Sequence, residues 1–287
     1  MAATISVVIP TYNSGSVISE CLASISGQSY SPVDVVVCDG GSTDDTFAIA
    51  RSLGATVVTT VANRSAQRNT GAINALGDYI VFIDSDMRLT PKVLEDCVAT
   101  LHESDAALVI PEVDIGTSYW ARVRGFERGF YEGAWWLKAA RCYRKDQFLQ
   151  IGGFDVGLIG PEDWDLDERI RSFGTVREIS ASIEHDERRI DLGGLMKKKS
   201  HYALSFSQFV ERHPRRAELC LSGRRRVMLF VSKPGRLLMH PILTIGLVAM
   251  GVSEVFVAHG RTSRWNTRAR EQALPPDANP LRNSDGS

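Results

Sequence analysis

The chain has 287 residues, 44% of them hydrophobic and 23% charged, with a formal net charge of −1. This is the balance of a folded soluble core, and it gives no overall preference for nucleic acid. The length suits one large domain, or one domain with an appendage.

Over the first 110 residues two periods alternate. Apolar, β-rich runs at 5–9, 33–38, 55–58, 79–83 and 106–110 read as strands, and stretches with helical spacing at 17–25, 46–53, 66–76 and 93–101 lie between them. Strands alternating with helices of this length predict βαβ units and a largely parallel sheet. In such sheets ligands bind beyond the carboxyl ends of the strands. Three polar clusters fall there: Pro10-Thr11-Tyr12-Asn13, Asp39 to Asp44, and Asp84-Ser85-Asp86.

Residues 116–149 are rich in aromatics and are expected to pack beside the sheet and wall part of a cleft; 161–173 has the spacing of an amphipathic helix. Between 187 and 236 thirteen Lys or Arg face only four acids, which favours an anionic surface or ligand. Within that block, Lys197, Lys198 and Lys199 form a solvated basic face, unless one or two of them reach a diphosphate. An uncharged stretch at 237–253 follows the apolar run 227–232, but it is short and interrupted by His240 and Pro241. Basic residues around broken apolar segments suit peripheral membrane contact through 227–258, in competition with buried helices or a dimer interface. After 261 the chain turns polar and is expected to be disordered. The expected organisation is an α/β domain over 1–190, a basic helical extension over 191–260 and a tail over 261–287.

Five scattered cysteines without metal-ligand spacing read as free thiols in a reducing compartment. The N-terminus shows no basic-then-apolar leader, so a cytoplasmic location is expected, at the cytoplasmic face of the membrane.

The chemistry concentrates in carboxylates. Asp84 and Asp86 end an apolar strand, and if the strand continues through them both face one side. Oxygen ligands of this kind suit Mn2+ or Mg2+ bridged to phosphates. Solvated turn aspartates are the plainer alternative. Asp39 begins a glycine turn where it can accept hydrogen bonds from a nucleobase, while Ser42 or Thr43 caps the helix that follows. Arg64 and Arg68 stand at the start of the third helix, where a cation can face phosphate. No P-loop or dinucleotide glycine pattern is present.

Taken in order, "SVVIPTYN", "DGGSTDDT", "AQRNTGA", "GDYIVFIDSD" and "GGFDVGLIGPEDWDLDERIRSFG" resemble the inverting glycosyltransferases of family 2, which have the Rossmann-like GT-A fold. The resemblance covers roughly the first 175 residues. It implies that Pro10, Tyr12 and Asp39 line a nucleoside pocket, with Thr11 and Ser85 in the same donor-facing clusters. Arg68 and Asn69 would support the donor region, and Asp84 and Asp86 would engage a metal-bound diphosphate. It also implies a general base at Glu162-Asp163. Asp163 is assigned that role and Glu162 an orienting one, since a carboxylate in reach can take the acceptor proton. In some such enzymes a histidine placed like His185 completes the metal site. One departure is visible: the family often has Asp-Asp-Gly-Ser after the second strand, and Gly40 stands here for the second aspartate.

The implied reaction moves a sugar from a nucleotide diphosphate, UDP first, to an acceptor hydroxyl, with a lipid-linked or cell-envelope glycan as the candidate acceptor. A polyprenyl phosphate acceptor needs no base and is the enzymatic rival. A non-catalytic nucleotide-sugar binding module is the rival of another class.

Overall fold

A computed structural model describes residues 3–186, 190–202, 205–259 and 279–282, with the side chains of 198–202 and 255–259 outside the description. Its first half alternates β1 (Ile5–Thr11), α1 (Ile18–Ser26), β2 (Val33–Asp39), α2 (Thr46–Ser52), β3 (Thr56–Thr59), α3 (Arg64–Asn74) and β4 (Tyr79–Phe82). Then come β5 (Met87–Leu89), α4 (Val93–Thr100), β6 (Asp105–Val109), β7 (Glu112–Asp114) and α5 (Tyr119–Arg128). After a 3-10 turn at Trp135–Leu137 follow β8 (Cys142–Arg144), α6 (Lys145–Gln150), α7 (Glu162–Ile170), β9 (Thr175–Glu178) and β10 (Ile183–His185). The C-terminal part is helical: α8 (Leu192–Tyr202), α9 (Phe206–Arg212), α10 (Pro214–Leu221), α11 (Gly223–Val231), α12 (Pro234–Met239) and α13 (Pro241–His259).

Seven strands form one sheet in the order β3-β2-β1-β4-β8-β6-β9. All neighbours are parallel except β8, which runs antiparallel to both β4 and β6. Strand β1 is buried along its whole length, as the continuous run ISVVIPT requires in a sheet covered on both faces. Chain order reverses between β1 and β4, so their carboxyl ends open the crevice where doubly wound sheets bind ligands. A second sheet, β5-β10-β7, stands at that edge. It carries His185 up beside the turn that leaves β4.

Helix α3 lies hard against the sheet because Gly71 faces it: a Cβ there would come 2.2 Å from Val8 Cγ1. Asn63 caps the helix by accepting from the Ala66 backbone N–H. The seating matters because α3 carries Arg68.

One expectation meets a different outcome. Asp84 and Asp86 do not continue β4: the strand ends at Phe82, and the Met87 N–H donates to the Asp84 carbonyl across a tight turn. Within the basic block four members pair internally: Arg212 with Asp155, Arg216 with Asp167 and Glu168, Arg226 with Glu254 and Lys233 with Glu132. Of the tail expected to be disordered, 261–278 and 283–287 lie outside the described residues. Asn279 and Leu281, however, are buried, and Asn69 donates to Asn279 at 2.9 Å. All five cysteines are buried and free. Burial pushes the Cys38 thiol up to about 12, the behaviour of an inert core group.

Candidate active site

At the switch point lies a cleft of about 1050 Å3. Pro10, Thr11 and Tyr12 from the end of β1 line it, with Asp84, Ser85 and Asp86 from the β4–β5 turn, Glu162 and Asp163 from the start of α7, and His185 from β10. Nine expected site residues, from four separate places in the sequence, therefore share one cavity.

Arg68 lies beneath them. Its side chain is 1% exposed, and its two terminal nitrogens donate to Asp84 Oδ1 and to Asp163 Oδ1, each at 2.9 Å. The Phe154 ring covers the guanidinium at 5.1 Å. Burial alone would raise the Asp84 carboxyl, but Arg68, with Arg64 and Arg141 behind it, holds it well below the usual carboxylate range. One guanidinium thus ties the acid turn at the sheet edge to the acid start of α7.

The two carboxylates of the turn part company. Asp84 goes to Arg68, whereas Asp86, 42% exposed, points Oδ2 at His185 Nε2 across 3.4 Å. Behind the imidazole, Nδ1 stands 3.5 Å from Asp114 Oδ1. Burial would lower His185, but Asp114 and Asp86 together raise it to about 9. Among the described residues no three His, Cys, Asp or Glu side chains converge to hold an ion unaided. The donor set nonetheless fits one: a carboxylate oxygen beside an imidazole nitrogen whose far side faces a second carboxylate is a common metal arrangement, completed by substrate oxygens.

At α7, Asp163 is 35% exposed to the cleft. Glu162 is buried and folds back to accept from the Gly160 N–H. Burial, and then the neighbouring Asp163, raises the Glu162 carboxyl. Both acids stand in the first turn of α7, where the helix dipole favours negative charge.

Asp39 and Asn69 are placed behind the cleft wall. Asp39 is buried, and its Oδ2 accepts from the Gly41 and Ser42 N–H groups at 3.1 and 2.9 Å, so its carboxylate pins the turn after β2. Asn69 clamps the Phe154 backbone in both directions, donating to its carbonyl and accepting from its N–H.

The structure adds residues that sequence reading left without a role. Buried Gln67 donates to the carbonyls of Thr11 and Cys38, joining the ends of β1 and β2. Arg141 lines the cleft and donates to Glu112, which Arg128 also grips at 2.8 Å. Burial alone would raise Glu112, but these two arginines lower it to about 2, against an ordinary 4.5. A carboxyl so depressed contributes stability above pH 4.5 that is lost as pH falls towards 2. Glu112→Gln is therefore expected to cost about 3 kcal/mol near neutrality and to flatten the acid limb between those two values, read by urea titrations at a series of pH values.

The aromatic stretch 116–149 does wall the cleft, through Tyr131 and its polar neighbours Arg124, Glu127, Arg128 and Lys138. Trp135 and Trp136 instead serve Arg216, which stacks on one ring at 4.8 Å and donates to the other's carbonyl.

The family model Glycosyl transferase family 2 matches residues 6–156. Glycosyltransferase GlyA of Streptococcus pneumoniae is 32% identical over 199 residues, 58% of this chain and 28% of that protein. The uncharacterized glycosyltransferase YwdF of Bacillus subtilis is 29% identical over 68% of this chain and 80% of its own length. Against GlyA and two further relatives the chain spans only 28% to 39% of their lengths. Among solved structures, the Pyrobaculum calidifontis mannosyltransferase PcManGT, in complex with GDP-Man and Mn2+, aligns over 100% of this chain and 89% of its own, with a TM-score of 0.60 at 20% identity. S. aureus TarS 1–349 in complex with UDP-GlcNAc aligns over 91% and 93%, with a TM-score of 0.54 at 19% identity. These structural likenesses show the GT-A fold. With more than half its length matched by the family model, the chain belongs to glycosyl transferase family 2 and is a glycosyltransferase.

Proposed function

We propose that the enzyme transfers a sugar from a nucleotide diphosphate, with UDP the first candidate, to an acceptor hydroxyl with inversion. The observation that carries this is the Arg68 bridge. By holding Asp84 and Asp163 at 2.9 Å each, it joins a donor-facing acid turn to a cleft-exposed carboxylate. The nucleotide sugars bound in TarS and PcManGT support the donor class.

In this reading Pro10, Thr11, Tyr12 and Ser85 face the donor, and Asp39 and Asn69 act indirectly, through the turn and loop that they pin. Asp86 and His185, with Asp84 beside them, would hold Mn2+ or Mg2+; the imidazole nitrogen favours Mn2+. When bound, the ion would neutralise charge on the departing diphosphate. Asp163 takes the proton of the acceptor hydroxyl as its oxygen bonds to the anomeric carbon. The bond from that carbon to the diphosphate oxygen breaks in line, and the nucleotide diphosphate leaves with the electron pair. Glu162, kept behind Asp163 on the Gly160 loop, holds the first turn of α7 in place. The acceptor we favour is a glycan presented at a membrane.

The test is hydrolysis and binding of a panel of nucleotide sugars with Mn2+, with Mg2+ and with chelator, on the wild type and Asp86→Ala. Release of one nucleotide diphosphate that requires the metal and is lost in the variant is expected. Equal binding with and without metal, and no turnover, would overturn the mechanism.

A further inference from the structure

From Ile242 to Val252 helix α13 is apolar on both its buried and its open side. Its inner side is seated along α5: a Cβ on Gly246 would come 2.5 Å from both Tyr119 Oη and Val123 Cγ2, and Tyr119 donates to the Ile242 carbonyl at 2.9 Å. Leu247 and Met250 are buried there with Phe126 and Phe130. On the opposite side Ile242, Ile245, Val248 and Val252 are 50% to 70% exposed. An all-round apolar helix belongs inside protein or lipid, so a half-open one lacks a cover.

The neighbouring helices extend this open side. Phe230 of α11 and Leu237 of α12 pack inward on the same α5 cluster. Val227 and Val231 of α11 are exposed, as are Leu238 and Met239 of α12. A surface of this extent on one side of a domain marks a contact site.

Charge identifies the occupant. Across 222–259 there are five Lys or Arg and a single acid, Glu254; Arg226 engages that acid at 3.2 Å and Lys233 engages Glu132 at 2.9 Å, so the open basic rim rests on Arg224 and Arg225. Arg224 and Arg225 are exposed at the start of α11. A two-fold contact between copies would set this basic rim against itself, whereas an anionic lipid surface complements it. Spanning is a poor fit, because α13 lies lengthwise on α5. Among the described residues no helix is long and apolar enough to cross a membrane.

We infer that the outer side of α11, α12 and α13 is an interfacial docking face for an anionic lipid surface, seating one end of the cleft at the headgroups. Arg226 and Glu254, on α11 and α13, line the cleft while Val227 and Val252 point away from it to the open side. An acceptor anchored in lipid therefore enters beside Arg226. The docking face stands on the exposed helices alone; its delivery of acceptor rests on the proposed transferase reading.

The experiment is co-sedimentation of the full chain with vesicles of phosphatidylcholine, with and without phosphatidylglycerol. Sedimentation velocity without vesicles and turnover of a soluble nucleotide sugar are measured alongside. The wild type is expected to pellet with the anionic vesicles and to be a monomer without them. Arg224→Gln/Arg225→Gln is expected to bind roughly thirtyfold more weakly, from the loss of two cations at the surface. Ile242→Ser/Ile245→Ser/Val248→Ser is expected to stay in the supernatant with soluble-donor turnover unchanged. Absence of wild-type binding, or both variants pelleting like wild type, would overturn the inference. So would a wild-type dimer that the triple variant converts to monomer, since the cover would then be a second copy. Loss of soluble-donor turnover in the wild type itself would sink the transferase reading and leave the vesicle result intact.

Discussion

Asp163→Asn is expected to lower acceptor transfer by roughly a hundred- to ten-thousand-fold, the range of a lost general base, while donor binding stays within about twofold. The substitution is close to isosteric. An amide oxygen can still accept from Arg68 Nη1, so the buried guanidinium keeps both of its partners. What the amide cannot do is take a proton. Transfer rate and donor Kd measured together separate the two effects. A variant that keeps substantial turnover would show an acceptor that arrives already ionised, such as a phosphate, and would remove Asp163 from the chemistry.

The βαβ units could be read from sequence because each strand is a mostly apolar, β-rich run and each helix shows its own period. Predicted strand and helix positions over 5–110 agree with β1 to β4, β6 and α1 to α4 to within about two residues. Strand β8 escaped that reading: three residues, Cys142–Arg144, carry no period, and only the tertiary fold inserts them antiparallel between β4 and β6. The acid pair at 84 and 86 was visible, but its geometry was not. Two-residue spacing implies a shared face only if the strand continues, and it stops at Phe82.

Charge pairs over long sequence separations were the other blind spot. Arg141 and Glu112 are 29 residues apart, and Arg216 reaches Glu168 across 48. Arg216 reads in sequence as one more member of a solvated basic run, yet it is buried among Trp135, Asp167 and Glu168. Nothing local distinguishes it from Arg215 beside it, which is exposed. The tail shows the same limit, since buried Asn279 accepts from Asn69, 210 positions earlier, and donates to the Gly152 carbonyl.

Arg68→Met is expected to destabilise the protein by roughly 3–5 kcal/mol, the cost of removing one partner from a buried ion pair. The melting temperature should fall by on the order of 10 °C for a chain of this size. Methionine fills much of the stem volume and keeps a soft contact with the Phe154 ring, so the loss reports charge more than packing. Two carboxylates that shared one cation are left facing each other. Burial then works unopposed by Arg68 on Asp84, the group it now holds low. A second substitution tests that account: Asp84→Asn in the Arg68→Met background removes one stranded charge and should recover a good part of the stability without restoring transfer. Arg68→Lys should fall between the two, since an ammonium reaches one carboxylate well but lacks the planar fork that spans both. If Arg68→Met melts like wild type, or if Asp84→Asn deepens the loss, the bridge does not hold the two halves of the site together. Asp84 and Asp163 would then be positioned by their own turn and helix.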